Sequence, residues 1–380
     1  MLRHALVVGI AGWLFAQEPV PTPPAPAQAP ATTPAPRAQA EQFVRDLAEP
    51  GKQKAAVAGL VALGDAAVPA LHQALLDRRS DVLQWALFAC SGLHGDCSSL
   101  RTPVESLLAS KDLGVALMAR RAWPAVEGRH GILLTMNAGQ VEMVTATEEK
   151  VLHKLPDPFH TELLPNGNLL TISNTRKVLR ELDPAAKELW SVEGHDAIDC
   201  KRLPDGNSLL SNYSSRRVVE LDPSGKVAWS VETAASPLEA DRLANGNTLI
   251  TLYDKGGVGG VIEVDRAGKT VWSFAGSQLT SAERLLDGTT LVTSVKADRI
   301  QLVGTDGKEL RAWTFTDPMR AHLLPNGHLV VNAHAAVVVL DAEGKTLWQL
   351  ERKLITGMQV LGAGPLRANA AAASQEPRKK

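Results

Sequence analysis

The sequence predicts a mainly β protein: a six-bladed β-propeller of four-stranded blades, closed by its two ends, behind a small α-helical domain. Three observations carry that expectation. A unit of about forty residues recurs, with turn glycines at Gly167, Gly206, Gly246, Gly288 and Gly327 and closing tryptophans at Trp190, Trp229, Trp272, Trp313 and Trp348. Each unit divides into four short runs rich in Val, Leu and Trp, bounded by Gly, Pro, Asn and Asp, the pattern of strands joined by turns. A partial unit stands at each end of the array, so that one blade can be completed from both ends.

The unit is clearest at Lys201–Ser230. Cys200–Leu203 runs into a Pro-Asp-Gly turn, Ser208–Ser211 and Val218–Leu221 are apolar runs, and Val227–Val231 carries the tryptophan. No window in it has the ten or more residues of 3.6-residue periodicity that a helical repeat needs. Five copies are complete. Gly131–Thr135, Val141–Thr145 and Lys150–Leu155 supply three strands of a sixth, and Ile355–Leu361 reads as its missing first strand. The propeller is expected over 128–362.

In chain order, residues 1–16 have a basic start, an apolar run from Ala5 to Phe15 and a small residue at Ala16, the form of a secretory signal. The run is too short for a stable membrane span. A periplasmic or secreted location follows as the expectation. Residues 17–38 are a Pro/Ala-rich linker and 363–380 an Ala-rich tail expected to be disordered. Between linker and propeller, 39–127 carries Ala and Leu at helical spacing. Composition is that of an ordinary soluble protein, 44% hydrophobic with formal net charge −1, which argues against a nucleic-acid partner. Cys90 and Cys97 leave a disulfide and free thiols equally open, and their spacing around His94 is one ligand short of a closed zinc site. Cys200 is expected as a buried free thiol.

Two sets of turns separate the faces of the ring. The Asn/Asp-Gly turns and the Gly-Lys turns (Gly225-Lys226, Gly268-Lys269, Gly307-Lys308, Gly344-Lys345) repeat from blade to blade and are read as chain reversals. The opposite face carries variable loops: Thr175–Lys177, Tyr213–Arg217 with Arg216 and Arg217, Asp254–Gly260, and Lys296–Arg299. Loops on a repeated scaffold are where binding residues concentrate, and several here are basic, which suits a protein partner or a small anionic ligand. Seven residues before each turn glycine stand His160, Asp199, Glu239, Ser281 and Arg320, with Gly357 as the sixth. The next residues are Thr161, Cys200, Ala240, Ala282, Ala321 and Met358. Strand alternation sends the two sets to opposite faces: the small set between blades, the polar set toward the axis, near the variable face, as a candidate ligand site. The tryptophans are read as inter-blade packing, with Trp313 displaced two places by Leu310-Arg311-Ala312.

LVALGDAAVPALHQALLDRRSDVLQWALFACSGL resembles a HEAT-type repeat in its Leu63-Gly64 stop, Ala67–Leu71 start and Asp81-Val82 turn, with Leu100–Ala122 as a second copy. LPNGN…VVELDPSGKVAWS resembles the PQQ-like repeats of quinoprotein-like propellers, above all those of the bacterial arylsulfotransferase type. The matching segments are Leu164–Asn168, Leu203–Asn207, Leu243–Asn247 and Val219–Ser230. The sulfotransferase resemblance implies a channel histidine that takes a sulfuryl group, here His160, and an anion clamp, here Arg320, with His322 and His195 nearby. The vicinal cysteine pair of the quinoprotein dehydrogenases is missing, so no redox role, cofactor or metal is expected. Asp199 and Glu239 share the ring with His160, and no complete catalytic constellation stands in the chain. The function expected first is therefore a non-enzymatic exported binding or scaffold protein, with sulfuryl transfer as the alternative.

Overall fold

Each of the five full repeats begins with a strand that ends in the same tight turn. The turn's Asn or Asp accepts a hydrogen bond from the backbone two residues on, as Asp205 Oδ1 does from Asn207 N at 3.0 Å. The glycine between them has φ near +90°, as at Gly206, a conformation that a side chain would strain. The turn chemistry thus reverses the chain at the same point in every repeat. The computed structural model describes residues 35–253 and 259–365. In it the ring is a six-bladed propeller of four-stranded antiparallel sheets.

The first blade is built from both ends of the array: Ile355–Leu361 pairs with Gly131–Met136, followed by Gln140–Val144 and Glu149–Lys154. The second to sixth blades begin with His160–Leu163, Ala197–Arg202, Ser236–Arg242, Leu279–Arg284 and Pro318–Leu323, and these six first strands are the inner ones. The apolar core is divided among the blade junctions rather than gathered at the centre. Leu170, Ile172 and Leu179 of the second blade, for instance, pack on Cys200, Leu210 and Leu221 of the third. Each such side chain, once fully buried, contributes about 1.5–3 kcal/mol. The small set expected between blades is there: Thr161, Cys200, Ala240, Ala282, Ala321 and Met358 are all buried.

The helical domain comprises α1 (Pro36–Asp46), α2 (Gln53–Leu63), α3 (Val68–Ala74), α4 (Ser80–Cys90), α5 (Arg101–Leu107) and α6 (Leu113–Val126). The first helix starts inside the segment expected as linker, because Ala40 and Leu47 are wholly buried in the helical core. Helices α2, α4 and α6 pack in succession. Asp112 caps α6 by accepting from Val115 N at 3.0 Å, and it also takes the Ser80 hydroxyl at the start of α4. Gln53–Ala74 is apolar and long enough to cross a membrane by length and composition. Here it bends at Gly64, and Ala56, Leu60 and Leu71 bury into the helical core. Cys90 and Cys97 are both buried free thiols, as is Cys200.

The helices dock on the face of the Asn/Asp-Gly turns. Trp123 Nε1 donates to Pro165 O at 2.8 Å, Arg120 to Leu203 O and Arg121 to Leu323 O at 2.7 Å. Lys54 pairs with Asp287 of another turn. Turns that the repeat pattern explains as chain reversals are also the seat of the helical layer, because carbonyls there accept from helix side chains. At the other end, Ala363–Pro365 are buried rather than a loose tail, with Ala363 N donating to His130 Nδ1. The segment expected as a signal, most of the segment expected as a linker, 366–380 and Asp254–Val258 of the variable loops lie outside the described residues.

Candidate functional site: a capped axial cavity

The polar set converges on the axis. His160 Nδ1 lies 3.3 Å from Asp199 Oδ1. Arg320 reaches the same oxygen at 3.4 Å, Glu239 Oε1 at 3.6 Å and Met358 O at 3.3 Å. Ser281 is buried in the same ring. Gly357 completes it, since a Cβ there would stand 2.9 Å from His160 Nδ1. The four inner strands that carry Asp199, Glu239, Ser281 and Arg320 each bulge one residue ahead of that position, at Ile198, Leu238, Thr280 and Met319. A bulge bends the strand and re-aims the side chain that follows it.

Two residues further along each inner strand a second ring lines the cavity: Glu162, Lys201, Asp241, Glu283, His322 and Gln359. The sequence reading passed over this ring apart from noting His322 beside Arg320, yet the signal was the same alternation, since residues two apart share a face. Lys201 ties the rings together, with Nζ 3.1 Å from Glu239 Oε1, 2.5 Å from Asp241 Oδ1 and 3.9 Å from Asp199 Oδ2. From below, Arg121 of α6 reaches Glu283 Oε1 at 2.6 Å, and His322 Nδ1 is 3.3 Å from Glu283 Oε2.

Burial and neighbours set the charges. Burial drives the His160 imidazole down to about 4, and Arg320 and Lys201 add to that against the pull of Asp199. His160 is therefore neutral near pH 7. Burial alone would raise Glu239, but Arg320, Lys201 and His322 outweigh it and hold the carboxyl far below its usual range. Asp241 moves up, through burial and the charge of Glu239, although Lys201 opposes the shift. Burial would also raise Glu283, but Arg121 and His322 bring it down to about 2.

These groups enclose a cavity of about 540 Å³ that runs from the first ring down to Gln84, Met118, Arg120 and Arg121 of the helical layer. Its volume is within the range of small-molecule sites. The sequence placed the candidate site toward the variable face; the cavity instead opens from the first ring toward the helix-covered face. The helices settle that, because they roof the turn face and leave the space beneath them. Arg216 and Arg217 are exposed on the variable face, where Arg217 donates to Ser230, and none of the ion pairs or hydrogen bonds at the axis involves them. His195 lies on that face too, 3.4 Å from Asn212 Nδ2.

His160 and Arg320 do approach one point, as a sulfuryl-transfer site would need, but the Asp199 carboxylate occupies it. A sulfate there would meet Asp199 and Glu239 and find the guanidinium already engaged.

The tryptophans lie at the blade junctions. Trp229, Trp272 and Trp313 donate their indole N–H to Arg266 O, Thr305 O and Ala342 O of the following blade. Trp313 pairs with Ile300, two positions from the usual register, as the insertion implied. Arg202, Arg242 and Arg284 lie over Trp190, Trp229 and Trp272 of the preceding blade and pair with its Glu181, Glu220 and Glu263.

Residues 175–311 match the family model described as outer membrane protein assembly factor BamB. Among solved structures, a protein of unknown function from Bacteroides caccae is 19% identical, with a TM-score of 0.50 over 60% of this chain and 97% of that one. Virginiamycin B lyase from Staphylococcus aureus is 11% identical, with a TM-score of 0.43 over 60% of this chain and 87% of that one. No curated protein matches. The repeats, the ring and the matched segment together identify the fold as a PQQ-like β-propeller of six blades.

Proposed function

We propose that this protein is a non-enzymatic binding protein that takes a small ligand into the axial cavity, between the inner strands and the helical roof. One observation carries the reading: charged side chains from several blades are held on the axis around a cavity of ligand size instead of being dispersed to solvent. Export belongs to the proposal through residues 1–16 alone, and the amino-terminal sequence of the protein recovered from a secreting host tests that part.

The test of the binding reading is a small-molecule screen read as a rise in melting temperature, since a ligand that binds only the folded state stabilises it by mass action. Compounds that stabilise the wild type and fail to stabilise Glu239→Gln are the expected result. Hits that stabilise both alike but are lost in an Arg216→Ala, Arg217→Ala double variant would move the site to the variable face. Turnover of an aryl sulfate with a phenol acceptor, abolished by His160→Ala, would replace the reading with the enzymatic one.

A further inference from the structure

Two features of the cavity wall specify what kind of ligand fits. The first is an imbalance between donors and acceptors. The cations nearest the axis and on α6 are engaged: Lys201 by two carboxylates, Arg320 by Asp199, Glu239 and Met358 O, Arg121 by Glu283 and Leu323 O, and Arg120 by Leu203 O, whereas Arg284, out at the blade junction beside Glu263, keeps Nε and Nη2 without a hydrogen-bond partner. One carboxylate oxygen at the axis is not engaged. Glu239 Oε2 is buried with no hydrogen-bond partner, on a side chain only 4% exposed. His322 Nε2 is also buried without a partner. A buried acceptor without a donor is costly, so a ligand that brings donors is favoured.

The second feature is a side chamber. A second cavity of about 130 Å³ opens between the helices and the turn face, lined by Val57, Ala58, Trp85, Phe88, Leu285 and Pro325. It shares Met118, Arg121, Arg284, Leu286 and Leu324 with the axial cavity, so the two meet along one wall. An apolar cavity of about 150 Å³ accepts a single benzene ring. Arg121 stands at the boundary, its guanidinium 4.8 Å from the centre of the Phe88 ring while it donates to Glu283.

We propose that the ligand is an amphiphile of defined shape: a donor-bearing, ammonium-type head seated against Glu239, joined by a short link to one aromatic or branched apolar group in the chamber beside Trp85 and Phe88. This inference rests on the axial cavity being the binding site. It reverses the anionic preference suggested by the basic loops, because the group left without a partner beside Lys201 and Arg320 is a carboxylate oxygen.

The test is calorimetric titration of the full chain with 2-phenylethylamine, ethylamine, ethanolamine and phenylacetate. The expected order is 2-phenylethylamine tightest, ethylamine at least ten-fold weaker and phenylacetate weakest. Glu239→Gln weakens 2-phenylethylamine at least ten-fold. Ala58→Phe, which fills the chamber, removes the advantage of the phenyl group and leaves ethylamine unchanged; Ala58→Leu does the same to a smaller degree if the larger ring disturbs α2. If the amines without a ring bind in a Glu239-dependent way and the ring adds nothing, the chamber inference falls while the axial site stands. If phenylacetate matches or exceeds 2-phenylethylamine, the head-group assignment falls. If none of the four binds, the ligand class proposed here is wrong. A melting-temperature screen whose hits all survive Glu239→Gln would remove the axial site as well.

Discussion

Buried arginine–glutamate pairs occur in two places in this ring, and they differ in how fully they are satisfied. At the junction of the third and fourth blades, Glu220 accepts from Asn207, Arg242 and Arg266 at 2.5–2.7 Å. Arg242 also donates to Gly246 O and lies over Trp229. Both carboxylate oxygens of Glu220 are used. At the axis, Glu239 spends one oxygen on Lys201 and Arg320 and keeps the other without a donor. The same residue types thus build a fastener in one place and an unfinished site in the other. Completeness, not charge or burial, is what differs between the two. The fifth-blade junction is intermediate: Arg284 Nη2 is 3.1 Å from Glu263 yet lacks an aligned hydrogen bond.

The largest expected effect breaks the fastener. Glu220→Gln leaves the buried Arg242 and the half-exposed Arg266 facing a neutral amide, and loss of one partner of a buried pair costs about 3–5 kcal/mol. Urea unfolding should show a loss of that size, and a loss under ~1 kcal/mol would end the distinction drawn here. The axial cluster should instead be visible in pH. The folded-state value of His160 lies near 4, against 6.5 for the free side chain. Between those values the unfolded chain binds a proton that the folded chain refuses. Stability is therefore complete above pH 6.5 and declines as pH falls toward 4. His94, also pushed down to about 4, acts in the same window. Urea unfolding at pH 7 and pH 5 should show the wild type losing about 2 kcal/mol more than His160→Asn.

A smaller effect tests the packing of the ring. Gly357→Ala places a Cβ 2.9 Å from His160 Nδ1 and 3.1 Å from its Cα, and overpacking of this kind costs about 1–3 kcal/mol. Thermal unfolding measures it, and an unchanged melting temperature would mean that His160 is free to move away. The smallest change in stability belongs to Glu239→Gln. Lys201 keeps Asp241 and Arg320 keeps Asp199, and the unpartnered oxygen no longer carries charge. We expect a loss of about 1 kcal/mol or less in urea, together with the loss of binding described above. A cost equal to that of Glu220→Gln would make the axial cluster one more fastener.

Much of this was legible in the residues. The spacing of Gly206 and its equivalents predicted the blades, the orphan run Ile355–Leu361 predicted the closure, and the position seven residues before each glycine predicted the convergence of His160, Asp199, Glu239 and Arg320. The second ring was equally legible but was passed over: Lys201 and Glu283 follow the first-ring positions by two and were overshadowed by the turns beyond them. The fasteners had a signal too, an Arg before each of Leu203, Leu243 and Leu285 and a Glu in the preceding blade's third strand. What no local pattern revealed was the seat of the helices, because docking of Trp123 on Pro165 O depends on surfaces that exist only once both parts have folded.

The sequence by itself determined the repeat, the alternation of small and polar residues along the inner strands and the way the ring closes, because turn chemistry and the two-residue period of a strand act over neighbouring positions. Only the tertiary structure decided which end of the axis holds the cavity, which carboxylate oxygen is left without a donor and where an apolar chamber meets a charged one. Those depend on groups distant in the chain being pressed together with too few hydrogen-bond partners to satisfy them all.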